Sequence, residues 1–536
     1  MTSAAEGPRT AIALVICPAW SMDCPSLALA TLASHVRGRT RHRAVCFDFN
    51  GAFYRAAGPD RRYWDDLGIS TIFWRDEASV LRLIGRHQAL FDRCVSDILE
   101  SGCPVVGFTV YLPMLRFSLE LARAVKRRDP SRIVVFGGHE CAREYAGMRL
   151  SREDAVDAVA LGEGEAVLGL LLDGVAAQGR LPAVPGLILN LGKGRIQDCG
   201  DAPPLRELDA VPFADYSDFA EDLSAGRFNA AGALGIAGSR GCARACRYCD
   251  QWRFWDRYRS MGGERIYEEM RHQVRTHPGT RRFYFMSLLV NGAPQSLERF
   301  CDLMISEPLG VRWWGQADVR PEMTPALVRK MAAAGCAFLA VGIESGSERI
   351  RRRMNKSFTN DEACAFLGGL KDAGIDAQAN FMFGLPGEEA ADFRETLAFL
   401  ERARPWLSAA YASTRFCYIY RGSYIYEHAE EFGILDREQT EFWETADGSN
   451  TYLVRLRRYE EFCRLARRLD LPFCHRRISF PKWFLLGSYF AHKGEPRRAA
   501  RFFRRSARRE SVPEIALARL GALEIPARAA AAGPRP

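Results

Sequence analysis

Three cysteines in one short loop are the residues of this chain with the clearest capacity for chemistry. Cys242, Cys246 and Cys249 lie in the stretch SRGCARACRYCDQWRFW, separated by three and then two residues. Structural zinc usually takes four ligands from two cysteine pairs, but no second close pair is present, and His475 beside Cys474 stands alone. A disulfide would leave one thiol over. Three thiolates can instead ligate three irons of a 4Fe-4S cluster, which leaves the fourth iron open to a small molecule.

The cysteine loop follows a predicted strand, ALGIAG, which begins a series of alternating strands and helices. The further strands predicted in this series are RRFYFM, VRWWGQ, AFLAVGI, DAQANFMFG and ASTRFCYIY. Amphipathic helices such as TPALVRKMAAAG lie between them. About six such units predict an α/β fold with a partial (β/α)6 barrel, whose functional loops lie at one rim. The cysteine loop is the first of these loops.

The part of the chain before the barrel shows the same alternation. Its predicted strands are TAIALVICPAW, HRAVCFDF, CPVVGFTVY, RIVVFGG and DAVALG. Short apolar strands separated by amphipathic helices predict a doubly wound, Rossmann-like parallel sheet. Ligands in such sheets bind beyond the carboxyl ends of the strands. The turn after the first strand, CPAWSMDCPS, contains no glycine, which argues against a dinucleotide site.

Changes in composition divide the chain into six segments. We expect a disordered N-terminus over 1–9, the doubly wound domain over 10–195, a linker over 196–230, the barrel over 231–435, a helical domain over 436–525 and a disordered tail over 526–536. Residues 483–503 match the spacing of one tetratricopeptide unit, which predicts a helical hairpin packed on the barrel.

The bulk composition is that of a globular protein with several domains. The 536 residues are too many for one core, and 48% of them are apolar. No apolar run approaches the ~20 residues of a membrane span, and no signal-peptide pattern is present. Most of the 16 cysteines stand singly in apolar segments, which suits a reduced compartment. We therefore expect a cytoplasmic protein without a membrane partner.

Positive charge is concentrated at the C-terminal end. Residues 451–536 contain 20 Lys and Arg and 7 Asp and Glu, which gives this segment a net charge of +13. Because the whole chain carries a net +9, the rest of the chain carries a net −4. A basic surface can bind nucleic acid or an acidic partner, and it can equally be a solvated helical face. We expect the solvated face and no nucleic-acid partner.

The cysteine spacing, on the loop after the first barrel strand, resembles that of the radical S-adenosylmethionine (radical SAM) superfamily. The segment 341–350, VGIESGSERI, is similar to the family's fourth-strand segment, and 380–388, NFMFGLPGE, is similar to its fifth. Where many members carry Gly-Gly-Glu, this chain has FMSLLVNG. The resemblance implies that Cys242, Cys246 and Cys249 hold a 4Fe-4S cluster. The implied contacts to S-adenosylmethionine are Tyr248, Met286, Ser287, Glu344, Ser345 and Asn380.

The first domain resembles the cobalamin-binding domain that precedes many barrels of this family. The similar segments are CPSLALATLASHV, TVYLPM, VVFGGHE and DAVALGEGEAVLGLL, with VPFADYSDF similar to the linker. Strand-end glycines would let a planar ring approach the backbone. The implied cobalamin contacts are Thr109, Tyr111, Gly137, Gly138, His139, Gly162, Glu163 and Gly164. No Asp-x-His-x-x-Gly motif is present, so we treat His139 as a contact and expect His42 to be solvated.

The resemblance implies a cobalamin-dependent radical SAM enzyme, most often a C-methyltransferase. One S-adenosylmethionine would methylate cobalamin, and a second would give the 5′-deoxyadenosyl radical, which attacks an unactivated carbon of a specialised metabolite or peptide. Rearrangement, ring contraction or cyclisation is one alternative, and a non-catalytic iron-sulfur or cobalamin-binding protein is another. An external electron donor such as flavodoxin or ferredoxin is implied. No catalytic acid or base is identified, although Gln316, Arg415 and Tyr418 are expected near the barrel mouth.

Overall fold

The computed structural model describes residues 8–472 and 478–531. Cys474 and His475 lie outside the described residues, as do 1–7 and 532–536 of the expected tails. The first domain is built on a seven-stranded sheet with the order β2-β1-β3-β4-β5-β6-β7. Its strands are β1 Ala11–Ile16, β2 Arg43–Asp48, β3 Val105–Thr109, β4 Ile133–Gly137, β5 Ala158–Ala160, β6 Leu187–Asn190 and β7 Ile196–Asp198.

The first five strands are parallel, and β6 and β7 join the edge antiparallel. All six residues of β1 are buried, as expected for a central strand covered by helices on both faces. The strand order reverses between β1 and β3, and such a switch point opens a crevice at the carboxyl ends of the strands. The doubly wound sheet predicted from the sequence is confirmed.

Nine helices, counted over the described residues, cover this sheet and fill the long connection between β2 and β3. They are α1 Leu27–Arg39, α2 Phe49–Ala56, α3 Arg62–Asp65, α4 Leu67–Arg75, α5 Glu77–Arg86, α6 Gln88–Glu100, α7 Leu115–Arg128, α8 Gly147–Leu150 and α9 Gly164–Gln178. Ser26 begins α1 by accepting a hydrogen bond from the Leu29 amide, a usual N-cap.

The second sheet contains six parallel strands in sequential order, β8-β11-β12-β13-β14-β15, which confirms the partial barrel. The strands of this region are β8 Ala233–Ile236, β9 Ser239–Arg240, β10 Arg259–Ser260, β11 Arg282–Phe285, β12 Arg312–Ala317, β13 Cys336–Glu344, β14 Asp376–Phe381 and β15 Ala409–Ala412. The short strands β9 and β10 form a separate antiparallel ribbon. The last strand ends at Ala412, so the expected strand ASTRFCYIY is wrong for all but its first residue.

The helices of the linker, barrel and C-terminal region complete the chain. They are α10 Ala220–Ser224, α11 Gln251–Phe254, α12 Gly263–Thr276, α13 Pro294–Ser306, α14 Pro325–Ala333, α15 Glu348–Arg353, α16 Asn360–Asp372, α17 Ala390–Ala403, α18 Tyr424–Glu427, α19 Tyr452–Arg468, α20 Lys482–His492, α21 Pro496–Arg509 and α22 Pro513–Ala531. The last helix therefore continues beyond residue 525, where we expected a disordered tail.

The C-terminal helices pack on the barrel and on one another. Phe462 of α19 lies against Phe381 and Phe383, with ring centroids 4.9 and 5.1 Å apart. Helices α20 and α21 form a hairpin in which Gly487 faces Phe503, so closely that a Cβ at Gly487 would lie 2.6 Å from that ring. Within the described residues, no helix combines the length and the apolar character that crossing a membrane requires.

Candidate functional site

The cysteine loop follows β8 and begins at the end of the β9 strand. The amide of Cys249 donates to the Cys246 carbonyl at 3.1 Å, which tightens the last turn of the loop. The turn after α15 holds the middle of the loop, because the Arg247 amide donates to the Met354 carbonyl at 3.0 Å and Asn355 donates to Ala245 at 2.9 Å. The loop is therefore held by the barrel at its base and at its centre.

The three thiols share a largely buried environment at the mouth of the barrel. Burial raises the pKa of Cys246 to about 11 and that of Cys249 to about 12, and the charge of Cys242 adds to both shifts. Among the described residues, no group of three or more His, Cys, Asp or Glu side chains could hold a metal ion. The three cysteines nevertheless lie within eight residues of one loop, and this spacing fits the ligation of three irons of an iron–sulfur cluster better than that of a single zinc ion.

A buried charge network supports the loop from behind. Nζ of Lys356 donates to the Gly342 carbonyl at 2.6 Å and lies 3.1 Å from Asp318 and 3.5 Å from Glu344. Arg244 pairs with the same aspartate. Lys356 is 5% exposed and Asp318 1% exposed. Although burial opposes the shift, the two carboxylates raise the pKa of Lys356, so a fixed positive charge lies beside the thiols.

Glu344 faces the cysteine loop from the end of β13. The register of β13 with β14 shifts between Gly342 and Glu344, and Glu344 has φ 65°, an uncommon left-handed conformation for this residue type. Burial raises the pKa of Glu344, while the nearby Lys356 and the Tyr248 hydroxyl oppose this shift. Of the six residues implied as contacts to S-adenosylmethionine, Tyr248 and Glu344 lie together beside the cysteines.

The other four residues implied as contacts to S-adenosylmethionine have different surroundings. Ser345 is buried and shares a hydrogen bond of 3.1 Å with Thr396. Asn380 accepts from Gln378 at 2.8 Å. Met286, in contrast, is 45% exposed.

Ser287, the last of these residues, has a structural role in the base of the cysteine loop. It is 3% exposed, and its Oγ accepts the amides of Gly238 at 2.8 Å and Ser239 at 3.0 Å. These two amides belong to the segment that leads directly into the cysteine loop. The Ser287 hydroxyl therefore supports the base of the cysteine loop.

Aromatic side chains converge at the switch point of the first sheet. Tyr111, which follows β3 and Thr109, lies 4.8 Å from Trp20, which follows β1, measured between ring centroids. Its ring is also parallel to that of His139, which follows β4, at 5.9 Å and an interplanar angle of 2°. The carboxyl ends of three neighbouring strands thus carry a flat apolar surface.

His139 joins the first domain to the cysteine loop. Its Nε2 lies 2.7 Å from Nε2 of Gln251 and 3.4 Å from Asp250, the two residues that directly follow Cys249. The hydroxyl of Tyr145 donates to the same aspartate. These contacts occupy the imidazole nitrogen at the domain interface.

The strand-end glycines serve different purposes. A Cβ at Gly162 would meet no atom within 4 Å, so this glycine, with φ 66°, faces open space. A Cβ at Gly138 would lie 2.8 Å from the Val110 carbonyl, and one at Gly164 would lie 3.0 Å from Leu32. These two glycines are explained by packing, and the expected role in letting a ring approach applies best to Gly162.

Gly137 and Glu163 are two further residues implied as cobalamin contacts, and their surroundings differ. Gly137 has only ordinary space, because a Cβ there would lie 3.7 Å from Ala160. Glu163 is an ion-pair partner of the barrel: it lies 2.8 Å from Arg259 and 3.3 Å from Arg240. Its carboxylate is therefore already engaged by the segments that flank the cysteine loop.

A cavity of about 600 Å³ lies between the first domain and the barrel. Gly162 and Tyr145 line it from the first domain, and Phe254, Trp255 and Arg421 line it from the barrel side. It is large enough for part of a bulky cofactor, and it lies next to the aspartate that follows Cys249. The first domain and the cysteine loop thus share one space.

The expectation for His42 is wrong. His42 is 5% exposed, its Nδ1 accepts the Thr10 amide at 3.2 Å, and its Nε2 lies 3.1 Å from Asp173. The sequence reasoning also missed Asp318 and Lys356. Asp318 directly follows β12, at the strand end where functional residues of barrels lie, so its position in the sequence could have indicated a role in the site. Lys356 lies in the irregular segment between α15 and α16, where a lysine in the sequence does not by itself indicate a buried or functional side chain.

Comparisons with known proteins agree with this architecture. The family model for the radical SAM superfamily matches residues 236–400. An uncharacterised methyltransferase of Pyrococcus horikoshii is 24% identical over 78% of this chain and 88% of its own length. An anaerobic magnesium-protoporphyrin IX monomethyl ester cyclase of Rubrivivax gelatinosus is 27% identical over 56% of this chain, and the match spans only 54% of that relative.

Solved structures share the fold at low identity. The radical SAM methyltransferase TsrM from Kitasatospora setae matches 92% of this chain and 99% of its own, with a TM-score of 0.61 and 16% identity. The cobalamin-dependent radical enzyme OxsB matches 87% of this chain and 62% of its own, with a TM-score of 0.58 and 16% identity. The α/β fold class expected from the sequence is confirmed. The chain contains a radical SAM domain over residues 236–400, so the superfamily indicated by the cysteine spacing is confirmed.

Proposed function

We propose that this protein is a cobalamin-dependent radical SAM C-methyltransferase that acts on an unactivated carbon of a specialised metabolite or peptide. The observation that carries the proposal is the 2.7 Å contact between His139 and Gln251. It joins the strand ends of the first domain to the residues that follow Cys249. Two cofactors bound at these places would face one another across a single space.

The relatives support the choice of reaction. The solved structure of TsrM is described as a methyltransferase with cobalamin and a 4Fe-4S cluster bound, and that of OxsB contains aqua-cobalamin and S-adenosylmethionine. A hopanoid C-3 methylase and a bacteriochlorophyllide d C-8(2)-methyltransferase are also similar over part of the chain. Methyl transfer to carbon is therefore the reaction we assign, ahead of rearrangement or cyclisation.

The residues on the barrel side would have two roles, one in holding the cluster and one in binding S-adenosylmethionine. Cys242, Cys246 and Cys249 would hold the cluster, and Tyr248 and Glu344 would lie beside the bound S-adenosylmethionine. When bound, the cluster supplies an electron, S-adenosylmethionine the hydrogen-abstracting radical, and the corrinoid the methyl group. The chain itself positions these groups and excludes water. We also propose a cytoplasmic location and a one-electron donor such as flavodoxin or ferredoxin.

The first domain would hold the corrinoid against the barrel. Tyr111 and Trp20 offer a flat surface at the switch point, and Gly162 leaves space beside it. His139 would keep the first domain in register with the cysteine loop through its hydrogen bond to Gln251. Thr109 and the remaining glycines support these positions from the strand ends.

The proposal is tested by following a labelled methyl group. Protein reconstituted anaerobically with iron, sulfide and hydroxocobalamin is given S-adenosylmethionine that carries a 13C-methyl group, together with a reductant. We expect labelled methyl on the corrinoid with S-adenosylhomocysteine formed in equal amount, and 5′-deoxyadenosine as the second product. The Cys249→Ala variant should give no 5′-deoxyadenosine, whereas the matched Cys199→Ala variant should behave like the native protein.

The outcomes separate the alternatives. Release of 5′-deoxyadenosine without labelled methyl on the corrinoid or on a product would favour rearrangement or cyclisation. A protein that forms neither 5′-deoxyadenosine nor S-adenosylhomocysteine would be a non-catalytic iron–sulfur or cobalamin-binding protein.

A further inference from the structure

We propose that a second cavity, named here the Arg415 cavity, binds an anionic group of the substrate, a carboxylate or a phosphate. This inference rests on the proposed function and adds the substrate class. The cavity has a volume of about 450 Å³ and lies where the first domain, the end of the barrel and the C-terminal helices meet. Arg75, Glu140, Arg415, Glu441, Phe484 and Arg519 are among its lining residues.

Arg415 is the residue that points to an anion. Nη2 of Arg415 is buried and makes no hydrogen bond within residues 8–472 and 478–531. A buried guanidinium nitrogen without an acceptor is unfavourable, because it has given up its hydrogen bonds to water and gained none in the protein. A carboxylate or phosphate would satisfy it, and the planar fork of arginine suits both groups through paired hydrogen bonds.

The charges around the cavity agree with this assignment. Five arginines and three acidic side chains line it, so the balance is positive. Among the acidic side chains, Glu441 has the largest electrostatic effect on Arg415. In the described part of the chain, however, the two side chains do not come within ion-pair distance. Arg75 is exposed on the cavity wall and likewise has no ion pair among the described residues. An entering anion would meet two arginines that are not paired with carboxylates.

The position of Arg415 connects the cavity to the cysteine loop. Arg415 follows β15 and therefore lies at the rim where barrels place their functional groups. Its guanidinium lies 3.5 Å from the ring centroid of Tyr418, and that ring lies 4.8 Å from Tyr420. The same segment is joined to the cysteine loop a few residues later, because the Ile425 amide donates to the Arg247 carbonyl at 3.0 Å. A substrate anchored by its anion at Arg415 would extend along these tyrosines toward the cluster.

The corrinoid tail also contains a phosphate, and the site could in principle serve that group. We assign it to the substrate because the C-terminal helices α20 and α22 form part of its wall. The cavity of about 600 Å³ beside Gly162, in contrast, is walled by the first domain, the linker and the barrel. The test must therefore be carried out both with and without bound corrinoid.

The experiment measures anion binding without any use of S-adenosylmethionine. The melting temperature of anaerobically reconstituted protein is followed against inorganic phosphate and against acetate, with chloride added to keep the ionic strength constant. We expect a saturable rise with at least one of the two anions. Arg415→Gln should raise the half-saturating concentration about tenfold or more, and Arg75→Gln, at an exposed position that folding does not need, about threefold. Arg464→Gln, on the exposed face of α19, is the matched control and should match the native protein.

Three results would overturn the inference. The first is an anion response that does not saturate, and the second is an equal response in Arg415→Gln, Arg75→Gln and the control. The third is loss of the response when hydroxocobalamin is bound, which would assign the site to the corrinoid tail. Release of 5′-deoxyadenosine and transfer of the labelled methyl group are measured on the same preparations. A failure of the proposed function therefore remains distinct from a failure of the anion site.

Discussion

Nε2 of His139 lies 2.7 Å from Nε2 of Gln251, so a histidine of the first domain is bound to the second residue after the last loop cysteine. Asp250 lies 3.4 Å from the same nitrogen and also accepts the Tyr145 hydroxyl. A histidine engaged in this way is a link between domains. It is not free at Nε2 to ligate a metal in the first domain.

This link predicts the spectrum of the corrinoid-loaded protein. We expect His139 to contribute no nitrogen superhyperfine splitting to the electron paramagnetic resonance spectrum of the cobalt(II) form, because Nε2 of His139 is engaged by Gln251. His139→Ala should leave the pattern unchanged and lower the melting temperature, and Gln251→Ala should lower it similarly. The double variant should be destabilised by less than the sum of the two single variants, because both single variants remove the His139–Gln251 contact. A splitting that disappears in His139→Ala would contradict this.

Loss of any one loop cysteine should abolish the cluster. Cys242→Ala, Cys246→Ala and Cys249→Ala should each bind little iron, where the native protein binds about four irons per chain. Cys199→Ala is the matched control, because Cys199 is also partly exposed but lies far along the chain at the edge of the first sheet. Iron and sulfide analysis with an absorbance spectrum measures the result. Normal iron content in any of the three variants would rule that cysteine out as a ligand.

Lys356 should be essential to the stability of the barrel mouth. Lys356→Met removes the cation between Asp318 and Glu344, which leaves the Glu344 carboxylate without its ion-pair partner and Asp318 with Arg244 alone, at a cost of about 3–5 kcal/mol. Lys330→Met is the control, since Lys330 pairs with Glu298 and Asp302 at the exposed surface and should change stability little. Urea unfolding of both variants measures the difference. Equal midpoints would show that the buried network contributes no stability.

Glu388 should make stability depend on pH. Glu388 is 3% exposed, and burial raises its pKa from 4.5 to about 7, although Arg458, which donates to Oε2 at 2.7 Å, opposes the shift. Because the folded pKa is raised, this contribution to stability is complete below about pH 4.5 and is lost as the pH rises through 7. The melting temperature of the native protein should therefore fall between pH 5 and 8 more steeply than that of Glu388→Gln.

The control for the pH prediction is Glu461→Gln, at an exposed position on α19. It should keep the steep native slope, because the Glu461 side chain remains in solvent when the protein folds. Parallel slopes for the native protein and Glu388→Gln would mean that Arg458 keeps the buried carboxylate charged throughout.

Much of the architecture could be predicted because it depends on local patterns. Strand β1 is a run of apolar residues with all six buried, and its period and length identify it without any tertiary information. The cysteine loop could be placed because it directly follows such a strand. The segment RFCYIY, in contrast, has the composition of a strand but lies beyond β15 as irregular chain, where Nε1 of Trp443 donates to the Cys417 carbonyl at 2.8 Å.

The details of the site were less predictable because they depend on partners distant in sequence. Ser287 serves the amides of Gly238 and Ser239, almost fifty positions away, and no periodicity reveals such a bond. His42 is buried by a contact to Asp173 on α9. The same limit applies to the charges behind the cysteines, which come from separate elements of the barrel.

The cysteine loop leaves the barrel through the β9–β10 ribbon, and the arginines of that ribbon, Arg240 and Arg259, are paired with Glu163 and Glu165 at the start of α9. A barrel expressed by itself would expose two arginines that have lost their counter-charges. A chimera that carries a foreign first domain would need acidic residues at the same two positions. The first domain and the barrel are thus matched to one another through these ion pairs. Domains can be exchanged between relatives only where the donor keeps this acidic pair.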